Sequence, residues 1–154
     1  MRIERIYTRN VVGTSRSSSL ASAAEIMRKF HVGALLVTDD PPEEANAVGI
    51  LTDRDMVVQA VADGLDTRAL KVGDVMTPGI NYIPEKADLH EALEIMRTRG
   101  VRRLVVTRDG GQVAGVLSMD DVIDGLAADM ASLAQIVKTE TQSEREAVEG
   151  GTQY

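Results

Sequence analysis

Cysteine is absent from this 154-residue chain. That removes disulfides, thiolate metal sites, iron–sulfur clusters and cysteine nucleophiles from consideration. Tryptophan is absent as well, and the aromatics amount to one Phe and three Tyr. Histidine occurs at His31 and His90, with no second imidazole at ligand spacing, so no metal site is expected. Basic side chains are outnumbered, 17 Lys and Arg against 24 Asp and Glu, for a formal net charge of −7. A chain with neither a basic field nor a stacking platform makes a poor nucleic-acid binder, and it carries no basic appendage. Nor does any uncharged run approach the roughly 18 apolar residues of a membrane span. The opening MRIERIYTRN lacks the apolar core of a signal peptide. The expectation is a cytoplasmic protein with no membrane or nucleic-acid partner.

With 44% hydrophobic and 27% charged residues, the composition is that of an ordinary globular protein. Its dominant feature is an internal repeat. EIMRKFHVGALLVT, from Glu25 to Thr38, aligns with EIMRTRGVRRLVVT, from Glu94 to Thr107, with eight identities in fourteen positions. The 69-residue offset extends upstream, where Ile6-Tyr7-Thr8 matches Val75-Met76-Thr77 and Leu20 matches Leu89. Downstream the offset falls to 66, and VGILTDRDMV from Val48 matches AGVLSMDDVI from Ala114. The two His occupy non-equivalent positions in this alignment.

Each copy reads as β-α-β-β-α. An extended segment around Val11-Val12, or Ile80 to Ile83, precedes a helix from Leu20 to Phe30, or Leu89 to Arg99. Those helices carry apolar residues at 20, 23, 24 and 27, and at 89, 92, 93 and 96. Ser19 reads as the first N-cap, and Asp88 with Glu91 as a capping-box-like start of the second. Two apolar runs joined by a turn follow, Ala34 to Thr38 with Val48 to Leu51, and Leu104 to Val106 with Val113 to Leu117. A closing helix then starts near Asp53 or Asp120. The acidic stretch Asp39 to Glu44 reads as a solvated turn. About 60 residues is marginal for independent folding, so the copies are expected to pack about a pseudo-twofold axis as one α/β (α+β) unit. The expected boundaries are 1–66 for the first repeat, 67–130 for the second, and 131–154 for a helical extension that frays beyond about Glu140. Ile123, Leu126, Met130, Leu133 and Val137 form a 3-4-3-4 apolar seam on that extension. It should cover a dimer interface or fold back on its own module.

VGDVMTPG at Val72 to Gly79, the repeated EIMR helix end, and the endings GILTDRD and GVLSMDD resemble the CBS-domain family. The match is to a tandem pair, or Bateman module, and covers roughly residues 4 to 130. The resemblance implies ligand clefts between the repeats for adenosyl compounds: AMP, ADP, ATP or NAD, with S-adenosylmethionine ranked behind them. One cleft would hold Ser118 and Asp121 with Arg102, Arg103 and Val116, facing Thr8, Val12, Val32 and Gly33. The other would hold Thr52 and Asp55, facing Thr77, Ile80 and Val101. There Gly33 and Ala34 stand where Arg102 and Arg103 stand in the second copy, and Arg54 is the candidate substitute cation. The Asp121 cleft is therefore expected to be the better phosphate site.

The residue types suit the chemistry. A carboxylate accepts two hydrogen bonds from a ribose diol, and an arginine fork matches phosphate oxygens. A Ser or Thr at a helix start can cap the helix or meet an anion. No Gly-rich phosphate loop and no nucleophile–His pair argue for catalysis, so no catalytic residue or catalytic cofactor is expected. The implied function is a non-catalytic, adenine-nucleotide-binding signal sensor, probed by a regulated protein partner and acting as a homodimer. The alternative is a homodimeric interaction scaffold with vestigial clefts.

Overall fold

The computed structural model describes residues 1–39 and 47–150. Of the expected acidic turn, Asp39 alone lies within them, paired with Arg16 at 2.9 Å. After a short 3-10 turn at Ile3–Arg5, the first repeat runs β1 (Gly13–Ser15), α1 (Leu20–Phe30), β2 (Ala34–Thr38), β3 (Ala47–Thr52) and α2 (Asp53–Met56). α2 continues as a π-helical turn, Val57–Val61. The second repeat runs α3 (Val72–Val75), β4 (Thr77–Pro78), β5 (Tyr82–Pro84), α4 (Leu89–Arg99), β6 (Arg103–Thr107), β7 (Val113–Ser118) and α5 (Met119–Gly150). The α+β architecture matches the sequence reading, and α1 and α4 have the expected limits. The first extended segments begin later than read, at Gly13 and Tyr82.

Local chemistry sets the helix ends. Ser19 Oγ accepts the Ser22 N–H at 3.1 Å, and Asp88 Oδ1 accepts the Glu91 N–H at 2.9 Å. The latter bond holds the Asp88 carboxyl below its ordinary range. Both 11-residue helices bury one stripe, Leu20, Ala23 and Met27 in α1 and Leu89, Ala92 and Met96 in α4. Each lies over a sheet in which a parallel pair, β1·β2 or β5·β6, is followed by an antiparallel one, β2·β3 or β6·β7. Both antiparallel ladders shift register at the same point, between Val37 and Thr38 and between Val106 and Thr107.

The cores do not follow the boundary at residue 66. Val72 and Val75 of α3 belong to the core formed by Leu20, Leu35, Val37 and Leu51. Ile3 and Tyr7 belong instead to the core formed by Ile83, Leu104, Val106 and Leu117. Each repeat thus sends its leading segment into the other half. β4 pairs with β3 through Thr77 and Ile50, while Thr8 bridges to Val116 of β7. The repeat offsets carry Thr8 to Thr77 and Ile50 to Val116, so the two exchanges are equivalent under a pseudo-twofold relation.

Glycine makes both crossings feasible. A Cβ on Gly49 would stand 2.6 Å from Thr77 O, and one on Gly115 would collide with Thr8 O and the Tyr7 ring. Backbone can approach backbone there because no side chain intervenes.

α5 departs most from expectation. It is one helix of 32 residues, about 48 Å at 1.5 Å per residue, and remains helical past Glu140 to Gly150. Its seam does not fold back on the module: Ile123, Leu126, Met130, Leu133, Ile136 and Val137 are all exposed.

Candidate functional site

The crossings create a seam between the two sheets, and a polar-lined cleft lies along it. A cavity of about 390 Å³ is lined by Val12, His31, Val32 and Gly33 from the first repeat and Arg103, Val116, Ser118 and Asp121 from the second. Thr8, from the crossing N-terminal segment, completes one wall. Thr8, Val12, Val32, Gly33, Arg103, Val116, Ser118 and Asp121 were all expected around one cleft, and the fold brings them together. Its volume falls within the range of small-molecule pockets.

Ser118 and Asp121 form a reciprocal cap at the start of α5. Asp121 Oδ2 accepts the Ser118 N–H at 2.7 Å and the Ser118 hydroxyl at 2.6 Å, and Ser118 Oγ accepts the Asp121 N–H at 3.1 Å. Oδ1 is left with one long contact, the Thr8 hydroxyl at 3.4 Å. The carboxylate is therefore anchored through one oxygen while the other faces Thr8. The capping and ligand roles weighed for this pair are chemically compatible.

Arg102 departs from its expected place. It does not line this cavity but a neighbouring one of about 220 Å³, together with Thr52, Arg54 and Arg103. Arg102 precedes β6, whereas Arg103 is its first residue. Arg102 also lies 3.8 Å from Asp120 in an exposed pair, which is worth little. The two cavities share Arg103, Ser118 and Asp120.

The equivalent pair in the first repeat has the same cap. Asp55 Oδ2 accepts the Thr52 N–H at 2.9 Å and the Thr52 hydroxyl at 2.8 Å. Its surroundings differ. Thr77 is held in the β3·β4 pairing, and among the described residues no hydrogen bond joins it to Asp55. Val101 packs against the second core and Ile80 is half-buried. Thr52 and Arg54 line the smaller cavity together, and Asp55 lines neither of the two. His31 was not expected in the site. The available sequence signal was its alignment with Gly100. Among the described residues, no group of three or more His, Asp or Glu could hold a metal ion, and no helix is long and apolar enough to cross a membrane.

Comparison with known proteins gives a consistent picture. The family model for the CBS domain matches twice, at residues 3–60 and 72–128. Hypoxic response protein 1 of Mycobacterium tuberculosis is 30% identical over 117 residues, covering 76% of this chain and 79% of that protein. An uncharacterized protein of Methanopyrus kandleri is 26% identical over 121 residues; the chain spans 60% of its length and 79% of its own. Among solved structures, a CBS domain protein of Pyrobaculum aerophilum complexed with AMP is similar with a TM-score of 0.66 and 27% identity. That likeness covers 79% of this chain and 89% of the other.

Proposed function

Because this chain belongs to the CBS-domain family, with two repeats in tandem, we propose that it is a non-catalytic regulatory protein binding an adenine nucleotide at Asp121. The observation that carries this reading is the convergence of Asp121, Ser118 and Arg103 with Thr8, Val12, Val32 and Gly33 around one cavity. Asp121 Oδ1 accepts the ribose hydroxyls, while Oδ2 stays in the helix cap. Arg103 offers its fork to the phosphate, aided by the positive start of α5. Val12, Val32 and Val116 wall the base. AMP, ADP, ATP and NAD share these groups, and the AMP complex of the Pyrobaculum aerophilum protein supports the class. The Asp55 cleft, with Thr52, Thr77, Ile80 and Val101, is the weaker site because Gly33 and Ala34 carry no charge.

The ligand regulates by favouring one relative packing of the halves, which a partner protein reads in the cytoplasm. The partner reading extends to a homodimer built on α5. That exposed helix also favours a second reading, an interaction scaffold whose clefts are vestigial.

Thermal unfolding against AMP, ADP, ATP, NAD and S-adenosylmethionine separates the two. A ligand at about a hundred times its dissociation constant stabilises by roughly 2.7 kcal/mol, which here raises Tm by about 5–11 °C. The sensor reading expects such a shift with an adenine nucleotide and its loss in Asp121→Ala. That variant also lowers the unliganded Tm slightly, since it removes half of the α5 cap. No shift with any compound at millimolar concentration leaves the scaffold reading.

A further inference from the structure

His31 is the one non-glycine residue with positive φ among the described residues, at φ 53° and ψ 43°. It ends α1, donating its N–H to Met27 O. Its counterpart at the end of α4 is Gly100, at φ 64° and ψ 32°, donating to Met96 O. The backbone requirement is the same in both repeats, and glycine meets it without a Cβ penalty. The first repeat meets it with His31, an exposed residue that lines the Asp121 cleft.

The cleft dimensions give that imidazole a role. A space of about 390 Å³ is roughly 9 Å across if spherical, close to one Debye length at physiological ionic strength. Any anionic ligand inside therefore feels the charge of each lining group. Imidazole changes charge between about pH 5 and 8. The other charged groups around it are Arg103 of β6, Asp120 and Asp121 of α5, and Asp53 of α2, which lies beside Gly33. Arg28 and Lys29 lie on its own helix. With one fixed cation, Arg103, against two carboxylates on the cavity wall, a second cation changes the sign balance seen by a phosphate.

We propose that His31 is a ligand-sensing contact of this cleft that couples its affinity for phosphorylated adenosine to pH, binding more tightly when the imidazole is protonated. The proposal rests on the adenine-nucleotide reading above. The sign follows from linkage: a bound anion favours the imidazolium, so the gain is present at acid pH and disappears as the ring loses its proton.

The test measures AMP and adenosine binding at about pH 5.5 and about pH 8 for the wild type, His31→Asn and His31→Lys. Asn tolerates the left-handed backbone without charge, and Lys keeps a charge at both pH values. The AMP phosphate itself gains charge in this window, equally in every variant, so the wild type is read against His31→Asn at each pH. The expected result is a roughly three- to tenfold tighter wild-type affinity for AMP at the lower pH relative to His31→Asn, a tenfold change corresponding to one pKa unit of coupling. His31→Lys keeps the tighter binding at both pH values, adenosine shows no difference, and Tm of unliganded His31→Asn stays at or above wild type. Parallel AMP profiles for wild type and His31→Asn overturn the proposal, as does an equal pH effect on adenosine. So does a His31→Asn variant that loses Tm and affinity alike at both pH values, which marks a structural residue. Absence of AMP binding to the wild type at either pH instead overturns the nucleotide reading on which the proposal stands.

Discussion

At Asp121 a single side chain divides its two oxygens between tasks. Oδ2 receives both Ser118 donors, and Oδ1 keeps a 3.4 Å contact with Thr8 and capacity for more. Sequence spacing alone suffices to place Ser118 and Asp121 at a helix start, because capping depends on residues three apart. Thr14 is the opposite case. It sits in β1 with its hydroxyl buried and without a hydrogen-bond partner among the described residues. The repeat alignment pairs it with Ile83, a fully buried core residue. An unsatisfied buried hydroxyl costs about 1–3 kcal/mol, and Val has nearly the same shape. Thr14→Val is therefore expected to raise unfolding stability by about 1 kcal/mol, read as a higher urea midpoint with an unchanged m-value. A lower midpoint would mean that the hydroxyl has a partner in solution.

The two closing helices begin with the same cap and then diverge. α2 gives way to a π-helical turn after Met56, where Val57 and Val58 place β-branched side chains in succession, and the chain turns at Gly64 with φ 65°. α5 continues for 32 residues. From Met130 to Val137 it carries no charge and exposes Met130, Leu133, Ile136 and Val137. A helix apolar on several faces is normally covered. The homodimer proposed above predicts that the wild type sediments as a dimer at micromolar concentration. Leu126→Glu combined with Leu133→Glu should yield a monomer with an intact module. Monomeric wild type, or a dimer insensitive to this pair, would move the interface elsewhere. The sequence seam was legible because its 3-4 spacing is local; its exposure was not, since a seam reads the same whether it is covered by its own module or left open.

Across the whole molecule, neither repeat is self-sufficient. The second core needs Ile3 and Tyr7 from the N-terminus, and the first needs Val72 and Val75 from beyond the linker. A fragment comprising residues 67–130 therefore lacks two buried side chains of its core and is expected to be largely unfolded by circular dichroism. The intact chain should lose secondary structure and near-ultraviolet tyrosine signal in one coincident transition. Two separated transitions would contradict this sharing of cores. The same exchange explains how a cleft ligand can act on both halves at once, since Thr8 lies on a segment that leaves one repeat to bridge β7 of the other.

What the sequence determined by itself were properties of short range and of repetition. Helices α1 and α4, their Ser19 and Asp88 caps, the alternating strands and the equivalence of the halves all follow from periodicities spanning a few residues or one 69-residue offset. Eight of the cleft residues were instead implied by the family resemblance, which periodicity alone does not supply. The tertiary structure decided which cavity each residue lines. It left Arg102, just ahead of β6, out of the larger cavity that Arg103 lines, and put Arg54 in the smaller one. It also put the leading segments into opposite cores, through the close approaches at Gly49 and Gly115. His31 belongs to both levels: its contrast with Gly100 is written in the chain, but its meaning depends on the cleft. That cleft exists only where two distant segments pack together, and no local preference encodes that distance.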